Sequence, residues 1–236
     1  MKKQGKLYLI PVPISEGKVE TIPTSVLQTM HALRFFIVER ARTARRWMRE
    51  SGYQGDISQI NYFELDKRAK DQITQSILEP VFEGHDMGLM SEAGIPAIAD
   101  PGAQIVSLAH TLGVQVVPLT GPGSVFLALA ASGLNGQEFC FLGYLPVKRD
   151  QLIKRLRELE QSVLKHGISQ IFIETPYRNE QIFRTILEVL NPAIKLCIAR
   201  DITGPLEMIH TYPVSEWKKM TLSELGKFPV VFILGK

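Results

Sequence analysis

Asp86-Met87-Gly88-Leu89-Met90-Ser91-Glu92-Ala93-Gly94-Ile95-Pro96-Ala97-Ile98-Ala99-Asp100-Pro101-Gly102 runs from an apolar segment, through a loop of small residues, into a helix start. Asp86–Met90 reads as a buried strand. Asp100 is a candidate N-cap, Pro101 suits the first helical position, and Gly113 suits the position just past the last turn. Between them Ile105, Val106, Leu108, Ala109 and Leu112 recur at helical spacing. Open α/β sheets bind ligands at the carboxyl ends of their strands, which is where Ser91–Pro96 falls. Small residues there let a ligand approach the backbone. Glu92 and Asp100 could accept hydrogen bonds from ribose hydroxyls or an amine. A plainer reading, a long connection in which Asp100 is merely a cap, fits the same residues.

Working outward, short apolar runs alternate with helical patterns along the chain. The runs are Leu7–Pro11, Phe35–Val38, Ile60–Phe63, Met87–Met90, Val114–Leu119, Phe139–Leu145, Ile168–Ile173, Lys195–Ala199 and Val230–Leu234. Several are continuously apolar, as strands covered on both faces are. This is the α/β pattern with a largely parallel sheet. One helix is expected from Arg149, carrying Leu152, Leu156, Leu159 and Val163. Another follows Pro176, with Ile182, Ile186, Leu187 and Leu190 apolar and Thr175 as its cap. Pro118-Leu119-Thr120-Gly121-Pro122-Gly123-Ser124 ends a strand and starts a helix, and it marks the expected domain boundary. Two α/β domains are expected, 1–119 with a mostly parallel sheet and 120–236 with a mixed one. A cleft between two such halves is a common place for a ligand.

The chain has 236 residues and only two cysteines. Cys140 and Cys197 lie in apolar runs and read as buried strand thiols in a reducing, cytoplasmic setting. No apolar stretch is long enough to span a membrane, and the start reads as a first strand rather than a signal peptide. Net charge is +3, which permits a nucleic-acid partner without demanding one. There is no G-x-G-x-x-G after a strand, no phosphate-binding P-loop and no G-x-S-x-G elbow, so dinucleotide, NTPase and esterase chemistry is unsupported. The five histidines show no metal-ligand spacing, and no metal is expected.

Basic residues are the other informative feature. In Glu39–Glu50, Arg42, Arg45, Arg46 and Arg49 fall on one helix face, where they could meet phosphates or simply face solvent. Trp47 lies off that stripe and reads as packing. Lys148 and Arg149 follow Gly143-Tyr144-Leu145-Pro146. Arg178 would sit at the positive end of the helix after Pro176, a misfit that points either to an anionic partner or to pairing with Glu174 or Glu180.

Five segments appear in order: `SEAGIPAIADPG`, `PLTGPGS`, `FLGYLPVK`, `FIETPYR` and `ARDITG`. Together they resemble the tetrapyrrole methylase superfamily. Within it the chain looks most like the bacterial small-subunit rRNA ribose 2′-O-methyltransferases, whose segments read close to `SDAGTPGISDPG`, `PLPGPSA`, `FEGFLPRK`, `FYESPHR` and `ARELTK`. The resemblance spans residues 6–235. It implies a two-domain fold that holds S-adenosylmethionine between its domains, usually as a homodimer, with rRNA or the small ribosomal subunit as partner. The implied cofactor-binding residues are Pro11, Ser91, Glu92, Gly94, Ile95, Gly123, Ser124, Leu145, Thr175 and Ala199. The implied chemistry is attack of a ribose hydroxyl on the sulfonium methyl. That needs alignment and no metal, and it profits from a base. Glu39 and Glu174, at strand ends, are the candidate bases. Arg42, Arg46, Lys148 and Arg178 are the candidate phosphate contacts.

The departures fall mostly in the substrate segments. `PTPIGN` of the family is `PVPISE` here, so Ser15-Glu16 replaces Gly-Asn. `EDTR` is Glu39-Arg40-Ala41-Arg42, `ELTK` ends in Gly204, and Glu92 replaces an aspartate. The extra C-terminal domain that members often carry is expected to be absent. Two alternatives stay open: methylation of a small molecule such as a tetrapyrrole, and a non-catalytic module that only binds the cofactor.

Overall fold

A computed structural model describes residues 4–65, 75–220 and 225–236. The chain divides into two compact units, Met1–Gly123 and Ser124–Lys236.

The first unit holds β1 (Lys6–Leu9), α1 (Thr24–Ala32), β2 (Phe35–Val38), α2 (Ala41–Glu50), β3 (Asn61–Glu64), α3 (Glu79–Phe82), β4 (Met87–Met90), α4 (Gly102–Thr111) and β5 (Gln115–Pro118). Its sheet has the order β3-β2-β4-β1-β5, and every pairing is parallel. Alternation along the strands feeds two cores. Phe36 and Val38 join Met30, Trp47 and Met48 on one side. Ile37, Met87 and Leu89 join Leu78, Ile105 and Ala109 on the other. Burying a side chain such as Phe36 contributes about 1.5–3 kcal/mol. Gly88 makes this packing possible, because a Cβ there would lie 2.6 Å from the Ile10 side chain and 2.7 Å from the Phe36 ring.

The second unit holds α5 (Ser124–Ser132), β6 (Phe139–Tyr144), α6 (Arg149–His166), β7 (Ser169–Glu174), α7 (Pro176–Val189), β8 (Lys195–Arg200), β9 (Met208–Pro213), α8 (Val214–Trp217) and β10 (Val230–Gly235). Its sheet order is β6-β7-β10-β8-β9, with only β6 and β7 parallel. The sheet is mixed, as the sequence leads one to expect. Leu152, Leu156, Leu159 and Val163 form the buried stripe of α6. They pack in one core with Ile182, Ile186, Phe172 and Phe232. The last two rings stack at 5.4 Å.

Several local expectations are corrected. The strand β9 escapes a reading by apolar runs, because Met-Ile-His-Thr-Tyr-Pro mixes polar and apolar residues; it is an edge strand whose sheet neighbour is β8. Cys140 is exposed rather than buried, because β6 is the opposite edge. Cys197 is buried in β8, and burial raises its thiol pKa. The helix α4 begins one residue later than its punctuation suggests. Asp100 stands outside it and accepts from the N–H groups of Gly102, at 2.7 Å, and Ala97, at 2.9 Å. Thr175 holds the N-cap position of α7 without a side-chain capping bond. Among the described residues no helix is long and apolar enough to cross a membrane.

Candidate functional site

In the first unit, β1 leads away to β2 while its neighbour β4 leads to β5 on the other side. The loops after these two adjacent strands therefore part, and a crevice opens beyond their carboxyl ends. The two loops are tied together at its floor. Val12 N–H donates to the Gly94 carbonyl at 3.0 Å, and Gly94 N–H donates to the Val12 carbonyl at 3.1 Å. Gly94 has φ +72°, a conformation that a side chain disfavours. The loop after β5 closes in as well. A Cβ on Gly121 would sit 2.2 Å from the Pro11 ring, so only glycine allows this approach.

The crevice has a volume of about 350 Å³ and is lined by, among others, Val12, Ser15, Arg40, Thr43, Trp47 and Glu92. Two carboxylates at strand ends, Glu92 in its lining and Glu39 behind Glu92, are arranged by the sheet. Glu39 follows β2, and its Oε1 accepts the main-chain N–H of Glu92 at 3.2 Å. Glu92 Oε2 in turn accepts from the Thr43 hydroxyl at 3.1 Å. The helix α2 is set in place by a residue that its own sequence does not announce. Arg40 occupies its N-cap, and Glu64, at the end of β3, accepts the Ala41 N–H at 2.6 Å instead.

The arginine stripe is on the outside of α2, as expected: Arg42, Arg45, Arg46 and Arg49 are exposed, and Trp47 is buried. Their roles differ. Arg46 Nη2 lies 2.6 Å from Glu16 Oε1, so the two departing residues of the first loop include one that bridges to α2 at the rim of the crevice. Arg45 stacks over the Tyr62 ring at 5.2 Å. Arg42 makes no ion pair among the described residues.

The candidate residues of the second unit are positioned as follows. Leu145 and Ala199 are core residues, 4% and 0% exposed, and can offer a ligand only their main chain. Thr175 Oγ1 donates to Glu174 Oε1 at 3.2 Å. Lys148 is exposed at the N-cap of α6. Ser124 opens α5, and Gly123 precedes it. Two candidates are withdrawn. The Glu174 side chain is only 2% exposed and pairs with Arg178 at 2.9 Å, so it does not stand ready to take a proton from an acceptor. Arg178 is buried too and also donates to the Pro146 carbonyl at 3.1 Å. Its misfit at a helix start is met within the chain by Glu174. At Gly204 a Cβ would lie 2.1 Å from Asp201 Oδ1, while Asp201 Oδ2 accepts from Leu206 N–H. Among the described residues, no group of three or more His, Cys, Asp or Glu could hold a metal ion.

No protein-family model matches the chain. A ribosomal RNA small subunit methyltransferase I of Escherichia coli O157:H7 is 31% identical over 213 residues, 90% of this chain and 71% of that protein. The chain belongs to the ribosomal RNA small subunit methyltransferase I family. The Bacillus subtilis member is 30% identical over 212 residues, 90% of this chain and 68% of that protein. The named members are methyltransferases, and by family this chain is one. Solved structures show the same fold. The methyltransferase CobJ aligns with a TM-score of 0.66 at 16% identity, over 98% of this chain and 94% of that one. The uroporphyrin-III-C-methyltransferase of Thermus thermophilus aligns with a TM-score of 0.58 at 15% identity, over 99% and 95%. The fold is therefore that of the tetrapyrrole methyltransferases.

Proposed function

We propose that this protein transfers the methyl group of S-adenosylmethionine to a ribose 2′-hydroxyl of small-subunit rRNA, as a cytoplasmic homodimer. The observation that carries the reading is the 31% identity to a ribosomal RNA small subunit methyltransferase I over 90% of the chain. The exposed arginines of α2 support it, because phosphate binding positions an RNA without reading its bases.

The residues present fit the cofactor. Gly94 at positive φ and Gly121 packed on Pro11 draw three loops together beside the crevice, whose lining by Val12, Ser91 and Glu92 would receive an adenosyl group. Glu92 offers a half-buried carboxylate for its polar groups. Ser91, Ile95, Gly123, Ser124, Thr175 and the main chains of Pro11, Leu145 and Ala199 complete the proposed set. When bound, the cofactor supplies an activated methyl on sulfur. Glu39 is the proposed base: half-buried at the end of β2, it accepts the N–H of Glu92, which lines the crevice, and would hold the proton released by the ribose hydroxyl. Arg42 and Lys148, both exposed, would hold phosphates, and Arg46 would join them once freed from Glu16.

The test uses labelled S-adenosylmethionine with small ribosomal subunits from a strain lacking the gene. Label in rRNA, lost in Arg42→Ala/Arg46→Ala, supports the reading. Label in a tetrapyrrole and none in rRNA would replace it with the small-molecule alternative. Absence of cofactor binding at millimolar concentration would remove both.

A further inference from the structure

We infer that the Glu174–Arg178 ion pair is a positioning device that pins the loop between β6 and α6. Arg178 reaches two targets at once: Nη1 lies 2.9 Å from Glu174 Oε2, and Nη2 donates to the Pro146 carbonyl at 3.1 Å. The first target anchors the guanidinium to the end of β7. The second anchors the loop to the guanidinium.

The loop needs such an anchor. The β6–β7 register shifts between Phe141 and Tyr144, and Gly143 adopts φ +65°. The strand β6 ends at Tyr144, and Pro146 has no N–H to donate. Leu145 is the one loop side chain set into the core, at 4% exposure, while Tyr144, Val147 and Lys148 point to solvent. The main chain is thus fixed at two successive residues, Leu145 by its side chain and Pro146 by its carbonyl, and the neighbouring side chains are presented outward.

Stability alone does not account for the pair. Replacing a buried ion pair by apolar residues of similar size is often neutral or stabilising. What an apolar pair cannot do is hold a carbonyl in a fixed place. Lysine is a poor substitute, because a single ammonium lacks the rigid fork that spans a carboxylate and a carbonyl together. The consequence for function rests on the reading given above, in which the main chain of Leu145 meets the cofactor and Lys148 meets phosphate. The pair would then set the place of both groups without touching either ligand.

The experiment compares the full chain with Glu174→Gln/Arg178→Met, in which both charges are removed and the Thr175 N–H can still be accepted. Amide exchange across residues 143–148 is expected to speed up at least tenfold, with α6 and α7 unchanged. The dissociation constant for S-adenosylmethionine is expected to rise about tenfold, while turnover at saturating cofactor falls much less. Should that variant fail to fold, Arg178→Lys is read in the same way, since it keeps the charge pair. Unchanged exchange in the loop overturns the inference. A wild-type chain that binds no S-adenosylmethionine would sink the proposed function instead, and loop exchange would still decide the pin.

Discussion

Glu39 accepts the main-chain N–H of Glu92 across 3.2 Å, although the two residues are 53 positions apart. The sheet order makes this possible, because β2 and β4 lie side by side and end at the same level, Val38 opposite Met90. One carboxylate oxygen of Glu39 thereby steadies the loop that carries Glu92, at the edge of the crevice.

Glu39→Gln tests the base. Glutamine Oε1 can still accept the Glu92 N–H, so the loop should keep its place while the proton acceptor is lost. Turnover is expected to fall about 10²-fold or more, within the usual range for general bases. Cofactor affinity should stay within a few fold. Single-turnover methylation and calorimetry read the two quantities, and undiminished turnover would assign the proton to another group.

Glu16→Gln tests the rim bridge. Both partners are well exposed, at 79% and 52%, so the pair contributes at most about 1 kcal/mol and the unfolding temperature should hardly change. Arg46, left with only its longer 3.8 Å approach to Glu50, should then tighten RNA binding several fold at low ionic strength. The gain should shrink as salt screens it. Filter binding over a salt series gives the answer, and equal affinities at low salt would show that the bridge does not compete with RNA.

Gly121→Ala places a methyl group where the Pro11 ring lies, 2.2 Å away. A proline ring yields little, so overpacking should destabilise the first unit by about 1–3 kcal/mol. Urea denaturation measures this. A neutral result would mean that the loops after β1 and β5 separate more easily than their packing indicates.

His31 predicts a pH dependence. Its Nε2 is 2.9 Å from Ser51 Oγ, whose own hydrogen goes to the Met48 carbonyl, so Nε2 carries the proton in the neutral ring. Burial lowers its pKa below the usual value. The unfolded chain then binds the proton more readily than the folded one. The stabilisation from this residue is complete above the unfolded pKa of about 6.5 and is lost as pH falls through the lower folded value. Thermal unfolding between pH 7.5 and 5.5 should show a steeper fall for the wild type than for His31→Asn. Parallel curves would place the titration elsewhere.

Much of this molecule could be read from residue patterns. Continuous apolar runs such as Phe35–Val38 and Met87–Met90 coincide with β2 and β4, because strands covered on both faces leave no polar alternation. The loop Ser91–Pro96 was legible as a strand-to-helix connection, and its first residues, Ser91 and Glu92, do line the crevice. Other features left no local trace. Glu64 caps α2 from another strand, and β9 is recognisable only by the neighbour it pairs with. The Gly121–Pro11 packing likewise joins distant segments.

The sequence by itself determined the α/β class, the order of its elements apart from β9, and the family, because these follow from periodicity, punctuation and ordered segments along one chain. Only the tertiary structure decided what the charged candidates do. Glu39, Glu174, Arg46 and Arg178 look equally available in one dimension. Folding sets Glu39, half-buried, against the Glu92 N–H, ties Arg46 to Glu16 at the rim of the crevice, and buries Glu174 against Arg178. The role of a charge depends on its burial and on the partner within about 4 Å, and both are set by segments far away in the chain.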